Sequence, residues 1–105
     1  MTIAVDFNDT IMDSSNVAPG YKMGRPFANA VEVLKAYHSK GGKIIISTNM
    51  AHEFMAKKMV KQWLDFFKIP YDEITNIKPK ADYYIDDKAI EFKDNWSEIG
   101  RRING

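Results

Sequence analysis

The sequence predicts one α/β domain over residues 1–105, a three-layer sandwich with a mainly parallel sheet. Short apolar runs alternate with longer amphipathic stretches along the chain, and no linker, repeat or low-complexity tract separates them. The length of 105 residues suffices for one modest core. Strands that alternate with helices are joined by right-handed crossovers, which make neighbouring strands parallel.

The first half of the chain predicts two strands and a helix. Residues 2–7 are apolar at both alternating positions, which indicates a buried strand. Residues 9–25 are rich in turn-forming residues and predict a loop. Pro26 suits the first position of a helix that Gly41 and Gly42 would end. The apolar face of that helix would consist of Phe27, Ala30, Val31, Leu34 and Tyr37.

The middle of the chain repeats the pattern. Residues 43–47 contain three consecutive isoleucines and predict a second buried strand. A second helix is predicted over about residues 50–68, and Pro70 would end it. Its buried side would consist of Met55, Met59, Trp63, Leu64 and Phe67.

The last third predicts shorter elements. A weak strand is expected at residues 72–75, a clearer one at residues 81–85, and a short edge strand at residues 89–92. Residues 94–102 predict a terminal helix. That helix would bury two apolar side chains, Trp96 and Ile99.

Composition and charge restrict the function classes. Apolar residues make up 45% and charged residues 28%, as in ordinary globular proteins. The formal net charge of +1 gives no global attraction to nucleic acid or anionic membranes. The absence of cysteine excludes disulfides and thiolate metal sites. No apolar run approaches the roughly 20 residues of a membrane helix, and the N-terminus lacks signal-peptide features. We therefore expect a cytoplasmic protein without membrane contact.

Polar side chains stand where the predicted strands end. Asp6 ends the first strand, Thr48 follows the second, and Asp86 and Asp87 end the strand near residue 85. In parallel sheets the carboxyl ends of the strands share one edge, where ligands bind. Clustered carboxylates repel one another unless a hard cation such as Mg²⁺ lies between them. With a nearby lysine, Lys78 or Lys80, these groups predict a Mg²⁺-dependent phosphate site.

Four segments in order carry a family resemblance. Residues 5–11 (VDFNDTI) resemble the first motif of the haloacid dehalogenase (HAD)-like phosphatases, Asp-x-Asp-x-Thr after an apolar strand. Residues 44–48 (IIIST), 78–79 (KP) and 84–87 (YIDD) resemble the second, third and fourth motifs. The resemblance spans about residues 3–92 and is strongest to small capless members. It implies a Rossmann-like (HAD-type) sheet.

The resemblance implies roles for the acidic edge. Asp6 would be the nucleophile that forms an aspartyl-phosphate. Mg²⁺ would lie between Asp6, the main-chain carbonyl of Asn8, and Asp86, with Asp87 as a second acidic contributor. The expected activity is therefore hydrolysis of phosphoric monoesters.

The phosphate contacts follow from the second and third motifs. Thr48 and Lys78 would hold the phosphoryl oxygens, with Asn49 beside them at the start of the next helix. Lys80 fits the lysine position less well, because the Lys-Pro pair of the third motif is at residue 78.

Asn8 departs from the family pattern. HAD-like phosphatases usually place a second aspartate there, which protonates the leaving group and then activates water. An amide does not titrate, and losing such a group costs roughly 10²- to 10⁴-fold in rate. Asp9 stands where glycine is common and is a candidate for a displaced acid or base. Phosphate and Mg²⁺ binding should survive the change at Asn8.

Several interpretations stay open. The chain is a slow phosphatase, a Mg²⁺- and phosphate-binding module without turnover, or a protein in which Asn8 is an engineered change. A further alternative is a nucleic-acid end phosphatase that uses a lysine face, consisting of Lys57, Lys58 and Lys61.

No cap domain is expected. The connection over about residues 11–25 is too short for one, and the connection after the second motif holds a single helix. The site would therefore be open, suited to a small or large phosphorylated substrate or to closure by a second subunit in a homo-oligomer.

Overall fold

A five-stranded parallel sheet forms the centre of the fold. The computed structural model describes residues 1–86, 90–91 and 95–104. The strands are β1 (Thr2–Asp6), β2 (Lys43–Ser47), β3 (Glu73–Thr75), β4 (Tyr83–Asp86) and β5 (Ile90–Glu91). They lie in the order β3-β2-β1-β4-β5, and all neighbours are parallel. The α/β class and the Rossmann-like parallel sheet are thus confirmed.

Three helices complete the secondary structure of the described residues. They are α1 (Ala30–Ser39), α2 (Phe54–Phe66) and α3 (Trp96–Asn104). A 3₁₀ turn, Asn49–His52, precedes α2. No helix within the described ranges is long and apolar enough to cross a membrane. Between the strands, the described connections hold single helices or loops, and none of them forms a cap domain.

The start of α1 corrects one prediction. Pro26 does not open the helix, because it forms an antiparallel bridge with Met12. The next residue, Phe27, donates its N–H to the Ile11 carbonyl at 2.9 Å. These pairings keep the segment extended, so α1 begins only after Asn29. At the other end, Gly41 has a φ of 88°, the left-handed conformation that commonly ends helices at glycine.

The buried face of α2 also differs from the prediction. Its buried residues are Val60, Trp63 and Leu64, all in the second half of the helix. Met55 is 58% exposed and Met59 36% exposed. The first turns therefore lie beyond the apolar core, and the prediction that both methionines are buried was wrong.

The apolar core lies between the helices and one face of the sheet. Alternate strand residues such as Val5, Ile46 and Ile85 are fully buried there. They join one cluster with residues from every helix, including Leu34, Leu64 and Ile99. Strands of parallel sheets that are buried on both faces have continuous apolar sequences. This is why β1 and β2 could be predicted.

A loop covers the opposite face of the sheet. Tyr84 alternates with the core residue Ile85 and so lies on this face. Its hydroxyl donates to the Pro79 carbonyl at 2.8 Å, within the connection 76–82 between β3 and β4. Ala4 and Ile45, each 4% exposed, are buried on the same face. Among the described residues, the connection 76–82 forms the layer on the face of the sheet opposite the helices.

Two aspartates hold the beginnings of neighbouring strands. The Asp82 carboxylate accepts from Thr2 N at 2.7 Å, and Asp82 N donates to the Thr2 carbonyl at 2.7 Å. Asp72 makes the same reciprocal pair with Ile44, at 2.8 Å in both directions. Both pairs lie at the amino-terminal edge of the sheet, so they fix strand register away from the predicted site.

Candidate active site

Two carboxylates end adjacent strands at the same level. Val5 of β1 pairs with Ile85 of β4, and the next residues, Asp6 and Asp86, are the last of their strands. Both side chains are half-buried. Chain connections leave in opposite directions along the sheet at β1 and β4, which is the switch point where parallel α/β sheets bind ligands. The structure thus brings together the two aspartates that the sequence analysis singled out.

Thr48 joins this edge from the other neighbour of β1. Asp6 pairs with Ser47, the last residue of β2, and Thr48 follows directly. Thr48 is buried, and its backbone N–H donates to the Thr75 carbonyl at 2.9 Å. Its side-chain oxygen accepts the N–H of Met50 at 3.2 Å and so caps the 3₁₀ turn. Thr48 is therefore the capping residue of this turn.

Asn8 meets Thr48 through its side chain. The Thr48 hydroxyl donates to Asn8 Oδ1 at 3.1 Å. Asn8 Nδ2 lies 3.7 Å from the sulfur of Met50, to which it donates. Asn8 itself is exposed, on the loop that follows β1. The predicted contribution of its main-chain carbonyl to a metal stays a prediction.

Asp9 is held by the loop. Its Oδ1 accepts the hydroxyl of Ser14 at 2.6 Å and the backbone N–H of Ser14 at 2.9 Å. These two bonds, the side-chain one first, lower the pKa of Asp9 below its ordinary value. The residue has a φ of 58°, a conformation that favours glycine. A carboxylate fixed in its ionised form is poorly suited to donate a proton to a leaving group.

Lys78 has a defined neighbour. Its Nζ lies 4.7 Å from the centroid of the Tyr84 ring, a cation–π contact. Tyr84 and Asp86 share one face of β4 because strand side chains alternate. Lys78 is exposed, and its contact with the Tyr84 ring places its ammonium over this face of the sheet. Its contact with a phosphate stays a prediction.

The structure provides less information about the other residues that were predicted to belong to the site. Asn49 is exposed, at the first position of the 3₁₀ turn. Asp87 lies outside the described residues. Lys80 is exposed in the connection before β4.

A cation at this edge would use oxygen ligands. Among the described residues, no three His, Cys, Asp or Glu side chains gather in a metal-binding arrangement. Two carboxylates, Asp6 and Asp86, are nevertheless placed at one level of one sheet edge. An all-oxygen set of two carboxylates, supplemented by a carbonyl and water, suits Mg²⁺, which keeps several water ligands in proteins. The described donor set therefore fits this ion.

The terminal helix supports the loop that carries Asn8. Trp96 is 1% exposed, and its Nε1 donates to the Thr10 carbonyl at 2.8 Å. The burial of Trp96 agrees with the prediction from the sequence, whereas this bond has no local sequence signal. Met50 was not predicted as a contact of Asn8, because a thioether acting as acceptor has no sequence signal. Asp13, whose Oδ1 accepts the Ser15 hydroxyl, is a turn residue.

Comparisons with known proteins give the fold alone. The chain is similar in structure to a conserved protein from Bacteroides thetaiotaomicron, with a TM-score of 0.75 and 24% sequence identity. The alignment covers 99% of this chain and 89% of that one. No protein-family profile matches the chain. No curated protein sequence matches it either.

Proposed function

We propose that this chain is a Mg²⁺-dependent phosphomonoester hydrolase of the HAD type, with Asp6 as nucleophile. The observation that carries the proposal is the meeting of Asp6, Asn8, Thr48 and Asp86 at one sheet edge. These residues belong to the first, second and fourth motifs of the resemblance. A structural role alone does not require two carboxylates, a hydroxyl and an amide at a switch point.

The reaction has two displacement steps. A carboxylate oxygen of Asp6 attacks phosphorus, the bond to the leaving-group oxygen breaks, and an aspartyl-phosphate forms. Water then attacks the phosphorus, the bond to Asp6 breaks, and inorganic phosphate leaves with the carboxylate restored. Bound Mg²⁺ would supply charge neutralisation between the phosphate and the carboxylates of Asp6 and Asp86.

Thr48 and Lys78 would position the phosphoryl group. The Thr48 hydroxyl is buried at the edge, and rotation about its side-chain bond can turn its proton from Asn8 to a phosphate oxygen. Lys78 is exposed on a flexible stem, and its ammonium would have to leave the Tyr84 ring to meet a phosphate. Asn49 would offer its side-chain amide beside Thr48.

Asn8 limits the rate of both steps in this proposal. Its amide supplies no proton to the leaving group and accepts none from the attacking water. Substrates whose leaving groups need no protonation, such as aryl phosphates, should therefore react fastest. Asp9 does not replace the missing acid, because its carboxylate accepts two hydrogen bonds from Ser14 that lower its pKa.

A phosphatase assay with p-nitrophenyl phosphate and Mg²⁺ tests the proposal. Asn8→Asp should raise turnover by about 10²- to 10⁴-fold, because it restores the base that activates water in the second step. Asp6→Asn should abolish turnover in both backgrounds. Glu73→Gln, at an exposed carboxylate of the edge strand β3, is the matched control and should change nothing. Activity that survives Asp6→Asn would contradict the proposal.

A second candidate function is binding of Mg²⁺ and phosphate without turnover. It is favoured by the engagement of both side-chain atoms of Asn8, by Thr48 and Met50. This candidate predicts that the wild-type protein binds inorganic phosphate with Mg²⁺ in calorimetry but hydrolyses no ester. Turnover by the wild-type protein that Asp6→Asn removes would exclude it.

A further inference from the structure

The solvent-exposed side of α2 carries a stripe of mainly apolar side chains. The members of this α2 stripe are all exposed and are spaced by four, three and four residues: Met55, Met59, Gln62 and Phe66. At about 100° per residue, the four side chains lie within an arc of about 60°. Apolar seams with this spacing pack against a second helix in coiled coils. A partner that covers the stripe would remove its apolar surface from water.

The spacing of the α2 stripe is the same when it is read from either end. An antiparallel copy of the helix therefore matches it, with Met55 of one copy facing Phe66 of the other and Met59 facing Gln62. A two-fold axis level with the midpoint of residues 60 and 61 relates the two helices. Contacts of this kind, in which one patch meets itself, are the commonest in dimers of identical chains.

The charges on one flank of the stripe fit the same arrangement. Lys58 and Asp65 are exposed and lie on the same side of the stripe, about 60° and 80° from Met55 around the helix. Within one copy they are seven residues apart, whereas ion pairs within a helix form at three or four residues. In the antiparallel pair the same flanks meet. Lys58 then lies only about 3 Å along the axis from Asp65 of the second copy, and symmetry repeats this pair.

One end of the stripe borders an apolar cavity of about 300 Å³, which Phe66 lines together with Tyr21 and Trp63. The inner wall is held in place, because Trp63 Nε1 donates to the Gly24 carbonyl at 2.8 Å. In the antiparallel pair, Met55 of the second copy faces Phe66 beside this cavity. Methionine has three rotatable bonds and a thioether, and it fills irregular apolar gaps.

We propose that two copies of this chain associate through the α2 stripe, as an antiparallel helix pair about a two-fold axis. A second copy is the occupant because both the stripe and its flanking charges are complementary to themselves. The stripe spans only three helical turns and is smaller than a standard interface of roughly 800 Å² per partner. The association should therefore be weak, with a Kd of about 10–200 μM. It does not depend on the proposed hydrolase function.

Sedimentation equilibrium of the wild-type protein measures the association directly. Between about 5 μM and about 1 mM, which spans the expected Kd, the average mass should rise with concentration. It should rise from the 12.1 kDa of one chain towards twice that value. A protein that stays monomeric at about 1 mM would overturn the proposal and leave the stripe to a different partner.

Met55→Glu tests whether the stripe is the interface. It should weaken the association at least about 30-fold, because each of the two symmetry-related contacts would bury a carboxylate among apolar side chains. Met55 is exposed in one copy, so the monomer should keep its fold. Phe54→Glu is the matched control, because Phe54 is 77% exposed but lies about 100° from Met55 around the helix. An equal loss with Phe54→Glu would overturn the proposal.

Reversal of the flanking charges tests the pairing. Lys58→Glu should weaken the association about five- to 30-fold, and the double variant Lys58→Glu/Asp65→Lys should recover most of it. Lys57→Glu makes the same change of charge about 160° from Met55 and should have a smaller effect. Asp65 also accepts the hydroxyl of Tyr71 at 3.2 Å, so circular dichroism checks that the double variant is folded. No recovery in a folded double variant would contradict the proposal.

Cysteine cross-linking tests the antiparallel register, since the chain contains no cysteine. In the double variant Met55→Cys/Phe66→Cys, the two thiols of one copy are roughly 16 Å apart along the helix, but each faces a thiol of the second copy. A disulfide needs Cα atoms within roughly 7 Å, so oxidation should join two copies. Met55→Cys and Phe66→Cys alone should give little covalent dimer. No covalent dimer from the double variant, or as much from a single variant, would overturn the proposal.

Discussion

The hydroxyl of Thr48 donates a hydrogen bond to the side-chain oxygen of Asn8 across 3.1 Å, between residues 40 positions apart. The same hydroxyl oxygen accepts the N–H of Met50. One buried side chain therefore caps the 3₁₀ turn and holds the side chain of Asn8. An aspartate at position 8 would keep the bond to Thr48 and lose only the donation to the Met50 sulfur.

Thr48 should contribute to stability as well as to the site. Thr48→Val keeps the shape but removes the hydroxyl, so Met50 N and Asn8 Oδ1 each lose a partner. We expect a loss of about 1–2 kcal/mol in the free energy of unfolding, as for other lost caps. Urea unfolding followed by circular dichroism measures it.

Thr48→Ser is the matched control for this prediction. It keeps the hydroxyl that makes both bonds and removes one methyl group, so it should lose less stability than Thr48→Val. If the two variants are equally destabilised, the methyl group and not the hydroxyl stabilises this position.

Mg²⁺ should raise the thermal stability of the folded protein through the carboxylate edge. A ligand that binds only the folded state stabilises it by RT ln(1 + [L]/Kd), about 2.7 kcal/mol at 100 times Kd. Asp86→Asn should remove most of the Mg²⁺-dependent shift in melting temperature. Glu73→Gln, on the edge strand β3, should leave the shift intact. A shift that persists in Asp86→Asn would place the metal elsewhere.

The sheet could be predicted because its signal is local. The apolar runs of β1 and β2 are continuous, and the polar residues Asp6 and Thr48 mark their ends. From there the general geometry of parallel sheets brings these ends together without knowledge of any contact. The same reasoning predicted that Asp6 and Asp86 share an edge.

Other features depend on contacts distant in sequence. The helix predicted from Pro26 begins later because Met12 pairs with that proline, and no local pattern reveals the pair. Met55 and Met59 fit an apolar helical stripe, but the core ends before it reaches them. Tyr21 lies in a loop whose composition indicates only turns. The sequence therefore did not predict that Tyr21 lines one cavity with Trp63 and Phe66. Such features follow from tertiary packing, which periodicity does not report.

Glu53 should make the stability of α2 depend on pH. Its carboxylate accepts from Met55 N at 3.1 Å and from Ala56 N at 2.8 Å, and so caps the helix. These bonds, Met55 first, lower the pKa of Glu53 below its ordinary value of 4.5. A lowered pKa in the folded state stabilises the protein above pH 4.5 and loses this effect as the pH falls through the folded-state value.

Melting temperatures of the wild type and Glu53→Gln between pH 7 and pH 2 test this. Glutamine offers one oxygen acceptor in place of two, so the variant should melt lower at pH 7. The difference should shrink below about pH 4.5 as the wild-type carboxyl is protonated. A difference that stays constant with pH would mean that the charge of Glu53 does not matter.

The aspartates at the strand beginnings should differ in their contribution to stability. Asp72 accepts from the N–H of Ile44 in a partly buried place, whereas Asp82 accepts from the exposed N–H of Thr2. Water can replace the carboxylate at Thr2 but less readily at Ile44. We therefore expect Asp72→Ala to lose about 1–3 kcal/mol of unfolding free energy and Asp82→Ala less.

The contact of Asp72 with His38 needs its own control. His38 Nε2 lies 3.5 Å from the Asp72 carboxylate, and both side chains are partly exposed. His38→Ala removes this contact and leaves the bond to Ile44, so it should cost at most about 1 kcal/mol, as exposed polar side-chain contacts do. Urea denaturation of the three variants at pH 7 compares them. If His38→Ala matches Asp72→Ala, the contact with His38 and not the bond to Ile44 accounts for the effect. If Asp82→Ala is the more destabilised of the two aspartate variants, burial does not determine the strength of these contacts.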